Sequence, residues 1–192
     1  MPRAIDVARY LIGLGAAEDE PDLLSPLRLQ KLLYYVQGWH LGAFGRVLFD
    51  EPMEAWKHGP VVKSVYRAFK DYGDGGIPPP AEVSPSSLSC RDSAFIESVW
   101  QEYKKYSASG LRGMTHSEPP WRKARGGLSE SDPSTATIAS EDLRDYFGEK
   151  AAKKMLPGIS LEAAYAGYEQ FQRGQGRPAK DVFARMRARH AV

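Results

Sequence analysis

Ile5, Ala8, Leu11 and Ile12 fall on one side of a helix, and Gly13 with Gly15 is expected to end it ahead of the acidic stretch Glu18 to Asp22. A stronger stripe follows. Leu29, Leu32, Leu33, Val36 and His40 stand at offsets 0, 3, 4, 7 and 11, behind Ser25 as an N-cap and Pro26 at the first helical position. Gly42 and Gly45 close this second helix. From Val47 to Lys57 the helical period is lost and Pro52 interrupts the run, which predicts an extended arm with at most a short edge strand.

Helix is expected again from Pro60, with Val62, Val65, Tyr66, Phe69 and Tyr72 as its apolar side and Gly73 as its stop. Asp74 to Ser89, rich in Gly, Pro and Ser, reads as a loop. Ser93 can cap a fourth helix carrying Ile96, Val99, Trp100 and Tyr103, ending near Ser107, and Ser109 a short fifth one carrying Leu111 and Met114. Pro119-Pro120 is expected to forbid continuation, leaving Trp121 on an irregular segment. After a second loop over 126–137, Ser140, Glu141 and Asp142 open a helix that buries Leu143, Tyr146 and Phe147, with Gly148 a candidate stop. Beyond it, Leu161, Ala164, Tyr165 and Tyr168, then Val182, Phe183 and Met186 behind Pro178, predict an appended, movable helical pair.

The pattern therefore describes a mainly α fold, α+β only through a short strand or extended arm: one compact domain of about six helices over residues 1–150 and a helical extension over 151–192. At 192 residues and 42% hydrophobic, the chain suffices for one ordinary core. The N-terminal stretch is broken by Asp6, Arg9 and two glycines and does not read as a signal peptide, and mean hydropathy is −0.46, so a cytoplasmic protein without membrane contact is expected. The single cysteine, Cys90, can form no internal disulfide and fits a reducing compartment.

The net charge of +2 hides an asymmetry: residues 1–150 hold 18 Lys and Arg against 21 Asp and Glu, whereas 151–192 hold 8 against 3. A basic tail can meet nucleic acid, an acidic partner or its own acidic body. Without an aromatic-rich binding motif, nucleic acid is not favoured.

Motif chemistry is sparse. His40, His58, His116 and His190 form no HExxH, HxH or Cys/His spacing, so no metal site is predicted. His40, on the stripe of the second helix, reads as a hydrogen-bonded core histidine, and His116 as a cation near a helix end. No phosphate-binding glycine loop and no GxSxG elbow occurs, so no nucleotide cofactor and no catalytic residue is assigned. Trp56-Lys57-His58-Gly59-Pro60 is more unusual, placing two aromatic rings and a cation beside a rigid Gly-Pro corner; it is either a tight strand-to-helix turn or a binding surface.

Several ordered stretches then resemble one family. Leu27-Arg28-Leu29-Gln30-Lys31-Leu32-Leu33-Tyr34-Tyr35, Gln37-Gly38-Trp39-His40, Leu48 through Val62, Val65-Tyr66, Phe69-Lys70, Leu111 through His116, and Pro120-Trp121-Arg122-Lys123-Ala124 resemble the Panacea domain of SocA-like antitoxins. The resemblance runs from about residue 5 to 147 and leaves the tail outside.

It implies a mostly helical, non-enzymatic antitoxin from a two-gene toxin–antitoxin module of bacteria, mobile elements or prophages, which neutralises a cognate protein toxin by contact. Contact blocks the toxin or delivers it to an ATP-dependent protease. A domain serving unrelated toxins should hold its core and vary its surface. Trp39, His40, Trp56, Lys57, His58, Thr115, His116 and Trp121 are thus candidates for partner contact or for a shared internal polar cluster. The alternative role is a DNA-binding autoregulator of the module, resting on the basic tail; an enzyme using His40, His58 or His116 is the third class.

Overall fold

The computed structural model describes residues 1–79 and 88–152. Its framework is α1 (Ala4–Ala16), α2 (Pro26–Phe44), a hairpin of β1 (Met53–Trp56) and β2 (Gly59–Val62), α3 (Lys63–Phe69), α4 (Cys90–Tyr103), α5 (Ala108–Ser117), α6 (Pro119–Arg125) and α7 (Ser140–Ala152), with one turn of 3-10 helix at Lys70–Tyr72. The fold is mainly α with one minor sheet, as the sequence predicts. The expected tail helices lie outside the described residues, as does residue stretch 80–87 of the Gly/Pro/Ser-rich loop.

α2 is the central element because it has almost no polar face. From Pro26 to Leu41 every residue except Leu27 is buried, so the helix is enclosed on all sides, by α1, α4, α5, α7 and β2. Ser25 Oγ caps its start by accepting from Arg28 N, Pro26 occupies the first position, and Gly45 ends it at φ +66°, where a side chain would be strained. α7 lies against α2 by way of glycine: a β-carbon on Gly38 would come within 2.2 Å of the Phe147 ring, and one on Gly42 within 2.6 Å of the Phe147 backbone. Phe147 fills the space those missing side chains leave, edge-on to Tyr34, Tyr35 and Trp39.

The hairpin pairs antiparallel from Met53 opposite Val62 to Trp56 opposite Gly59, with Lys57 and His58 as its two-residue turn. Its outer edges are closed rather than left for another chain. On the β2 side, Gln30 Oε1 accepts from Val62 N at 2.7 Å and Lys31 Nζ donates to the Pro60 carbonyl at 2.8 Å. On the β1 side, Ala55 N donates to the Ala136 carbonyl and Ile138 N to the Met53 carbonyl. The arm before the hairpin is held by Gln37, whose amide bonds Leu48 N and the Phe49 carbonyl.

Several expectations are corrected. Pro60 does not open a helix. It lies in β2, and α3 starts three residues later, because α2 side chains are placed to satisfy the strand edge. Pro119 and Pro120 do stop α5, which ends at Ser117, but they also start α6, since the first helical positions need no N–H bond, so Trp121 is helical and not on an irregular segment. The caps of α4 and α5 are Ser89 and Ser107, which accept from Asp92 N and Gly110 N; Ser93 is buried inside α4 and Ser109 lies within α5. Gly13 and Gly15 are buried inside α1, and α7 continues through Gly148.

Candidate functional site

Six of the eight residues singled out from sequence meet at one corner, where the hairpin turn packs on α5 and α6. Trp121 is buried, and its indole Nε1 donates to the Trp56 carbonyl at 3.0 Å, tying α6 to the end of β1. The His116 ring stacks on Trp121, with centroids 4.1 Å apart and planes 11° from parallel. Thr115 Oγ1 bonds back to the Arg112 carbonyl, and a β-carbon on Gly59 would approach this oxygen to 2.9 Å and Lys31 Cε to 2.6 Å. Gly59, at φ +96°, is therefore required twice over, by its backbone angle and by its closeness to α2 and α5.

This buried support presents a different outer face. Trp56 is half-buried against Tyr66, ring centroids 4.8 Å apart, while Lys57 and His58 are exposed at the turn. Trp39 and His40 do not join the corner. Trp39 Nε1 donates to the Tyr103 hydroxyl at 2.9 Å, and His40 Nδ1 pairs with the Arg46 carbonyl at 2.8 Å, the hydrogen-bonded core histidine the sequence predicts. His116 sits near a helix end as expected, but its ring is held by Trp121 and, through Nδ1, by Glu130 Oε2 at 3.4 Å.

Sequence reasoning left out the cations behind the corner. Lys31 is fully buried beneath Gly59 and Pro60. Arg125, 3% exposed, donates to the carbonyls of Ala55 at 3.2 Å, Asp132 at 2.8 Å and Ser129, and lies over the Trp121 ring. Arg112 borders the same region. Burial and then Arg112 hold the Lys31 ammonium well below the usual lysine range. Desolvation by its surroundings, followed by the charges of Arg112, Lys57 and Lys31, pushes His58 down, and burial does the same to His116 against the opposing pull of Glu130. Both imidazoles are accordingly biased to the neutral form in a positive field.

A second polar cluster lies under α7, where Glu118, 5% exposed, meets Lys150 Nζ at 3.3 Å and the Tyr35 hydroxyl at 3.4 Å. Burial raises its carboxyl above the ordinary range, with Lys150 pulling the other way. Among the described residues no three His, Cys, Asp or Glu side chains gather as a metal set, and no helix is long and apolar enough to cross a membrane.

The pattern of the antitoxin SocA-like, Panacea domain family matches residues 29–122, from the second turn of α2 to Arg122 in α6. The chain is also similar to Antitoxin SocA of Caulobacter vibrioides (strain NA1000 / CB15N), 34% identical over 181 residues that cover 85% of this chain and 95% of that protein. This chain belongs to the SocA-like antitoxin family. No solved structure matches it. Within this Panacea-domain member, the matched span holds the hairpin, Lys31, Arg112, His116 and Trp121, whereas Arg125, Glu130 and α7 lie beyond it.

Proposed function

We propose that this protein is the antitoxin of a toxin–antitoxin module and neutralises a protein toxin by binding it, with no catalytic residue or cofactor. The likeness to Antitoxin SocA over 85% of this chain and 95% of that protein carries this reading. The corner supports it physically. Trp56, Lys57 and His58 form a rigid projecting turn, pinned from behind by Trp121, Lys31 and Thr115, and a preorganised aromatic and cationic turn loses little entropy on docking.

In this reading Trp56, Lys57 and His58 touch the toxin, Thr115, His116 and Trp121 hold them in place, and Trp39 and His40 are scaffold. Blocking the toxin where it sits and presenting it to an ATP-dependent protease both begin with this contact. The test is co-purification with the product of the neighbouring gene. A stable complex that weakens in a Trp56→Ala, Lys57→Ala, His58→Ala triple variant is expected. Failure of the wild-type protein to retain that product refutes the reading, and an undiminished complex with the triple variant moves the contact elsewhere.

A further inference from the structure

The corner holds more positive charge than its own residues neutralise. Lys31 is completely buried, donates to the Pro60 carbonyl and forms no ion pair among the described residues. Arg125 is nearly as buried and donates to carbonyls alone; Asp132 offers it a backbone oxygen while its carboxylate accepts from Ser129 N. Neutral partners satisfy the donors of Arg125 without cancelling its charge, which a guanidinium keeps even when sequestered.

Arg125 forms part of the wall of a cavity of about 690 Å³ between α5 and α6. Arg112 and the exposed Arg122 line it, and Arg112 makes no side-chain hydrogen bond or ion pair among the described residues, its Nε being buried without a partner. The lining holds one acid, Glu130, which is 70% exposed and lies 3.4 Å from His116 Nδ1, against the three guanidinium groups of Arg112, Arg122 and Arg125. Open space adjoins Gly113, Gly126 and Gly127, where a β-carbon would meet nothing within 4 Å, so a chain can approach the floor closely. Leu128, 48% exposed, adds an apolar rim.

We propose that this cavity receives a carboxylate side chain of a polypeptide partner, bound by Arg112 and Arg122. That partner is the toxin if the reading above holds. Guanidinium groups suit a carboxylate because their N–H pairs match its two oxygens, and the buried charge of Arg125, whose terminal N–H groups are bonded to carbonyls, adds a field of the same sign. A polypeptide rather than a free anion is favoured by the rim, since Leu128 offers apolar surface that a small oxyanion has no use for.

The test is titration of the full chain, at low salt, with a terminally blocked hexaglutamate peptide, its hexaglutamine counterpart and inorganic phosphate, following the His116 imidazole and Trp121 indole signals by NMR. Saturable hexaglutamate binding is expected, with none for hexaglutamine. Arg112→Gln and Arg122→Gln should each weaken it by about tenfold to a hundredfold, the loss of one charge-assisted pair, while Arg144→Gln on α7 binds as wild type. Arg122 is exposed, so its variant reports on binding even if Arg112→Gln fails to fold. No saturable hexaglutamate binding, or undiminished binding by both variants, overturns the proposal; phosphate binding with hexaglutamate silent assigns the cavity to a free oxyanion and overturns it as well. No toxin enters this titration, so its outcome is separate from that of the antitoxin reading.

Discussion

The Trp121 indole donates to the Trp56 carbonyl, and this one bond fastens α6 to the strand that carries the exposed turn. Trp121→Phe keeps the stack under His116 and removes the donor to a partly buried carbonyl. Stability should fall by about 1–2 kcal/mol. Urea unfolding checks this, and hydrogen exchange at β1 and β2 should rise more than at α1, which is far from the lost bond.

Gly38→Ala addresses how α7 sits on α2. The new methyl would overlap the Phe147 ring, whose nearest atom is 2.2 Å from the added carbon, so α7 must shift or Phe147 must turn. A loss of about 1–3 kcal/mol is expected, typical of an overfilled core. Gly113→Ala, where the added carbon meets nothing within 4 Å, should be tolerated in the same thermal denaturation series.

Lys31 gives the protein a pH signature. Its pKa is lowered in the fold from the usual 10.5, so between the lowered value and 10.5 the unfolded chain binds a proton that the folded one does not. Stability from this residue therefore rises with pH through that window and is least below it. Lys31→Met should remove the slope, so wild type gains stability relative to the variant as pH rises from 7 toward 10. Denaturant titrations across that range check the sign; a wild type that loses stability relative to the variant as pH rises would contradict it.

The acid side carries a histidine counterpart. His116 is held below the ordinary 6.5, first by burial, so as pH falls past 6.5 the unfolded state takes up its proton before the folded state does. His116→Gln should lessen the loss of stability between pH 7 and 5, even if the variant starts lower at neutral pH for want of the stack on Trp121. Matched melting curves at the two pH values measure this.

How much of this was legible in the sequence depends on how local the deciding bond is. Ser25 and Pro26 announce α2 because cap and first turn lie side by side in the chain, and the stripes of α1, α4 and α7 are equally local. Pro60 is different. Its fixed φ suits a helix start and an extended strand alike, and the choice is made by Gln30 and Lys31, about thirty residues earlier, which close the strand edge.

The same holds at the corner. Trp56, Lys57, His58 and Trp121 stood out by composition, but nothing local shows that Trp121 reaches the Trp56 carbonyl 65 residues away. Lys31 falls inside the Leu27–Tyr35 stretch that resembles the family but nothing there sets it apart from its neighbours, and Arg125 gave no signal at all. α2 is buried all round, so it has no solvent face from which a lysine could be told apart as misplaced, and Arg125 finds its carbonyls only once the loop to Asp132 has folded over it.

The central claim is protection, and growth measures it most directly. Cells expressing the neighbouring open reading frame should stop growing, recover when this protein is co-expressed, and recover poorly with the Trp56→Ala, Lys57→Ala, His58→Ala variant made at the same level. A neighbour that is harmless alone, or one that stays toxic beside abundant, folded protein, would contradict the account.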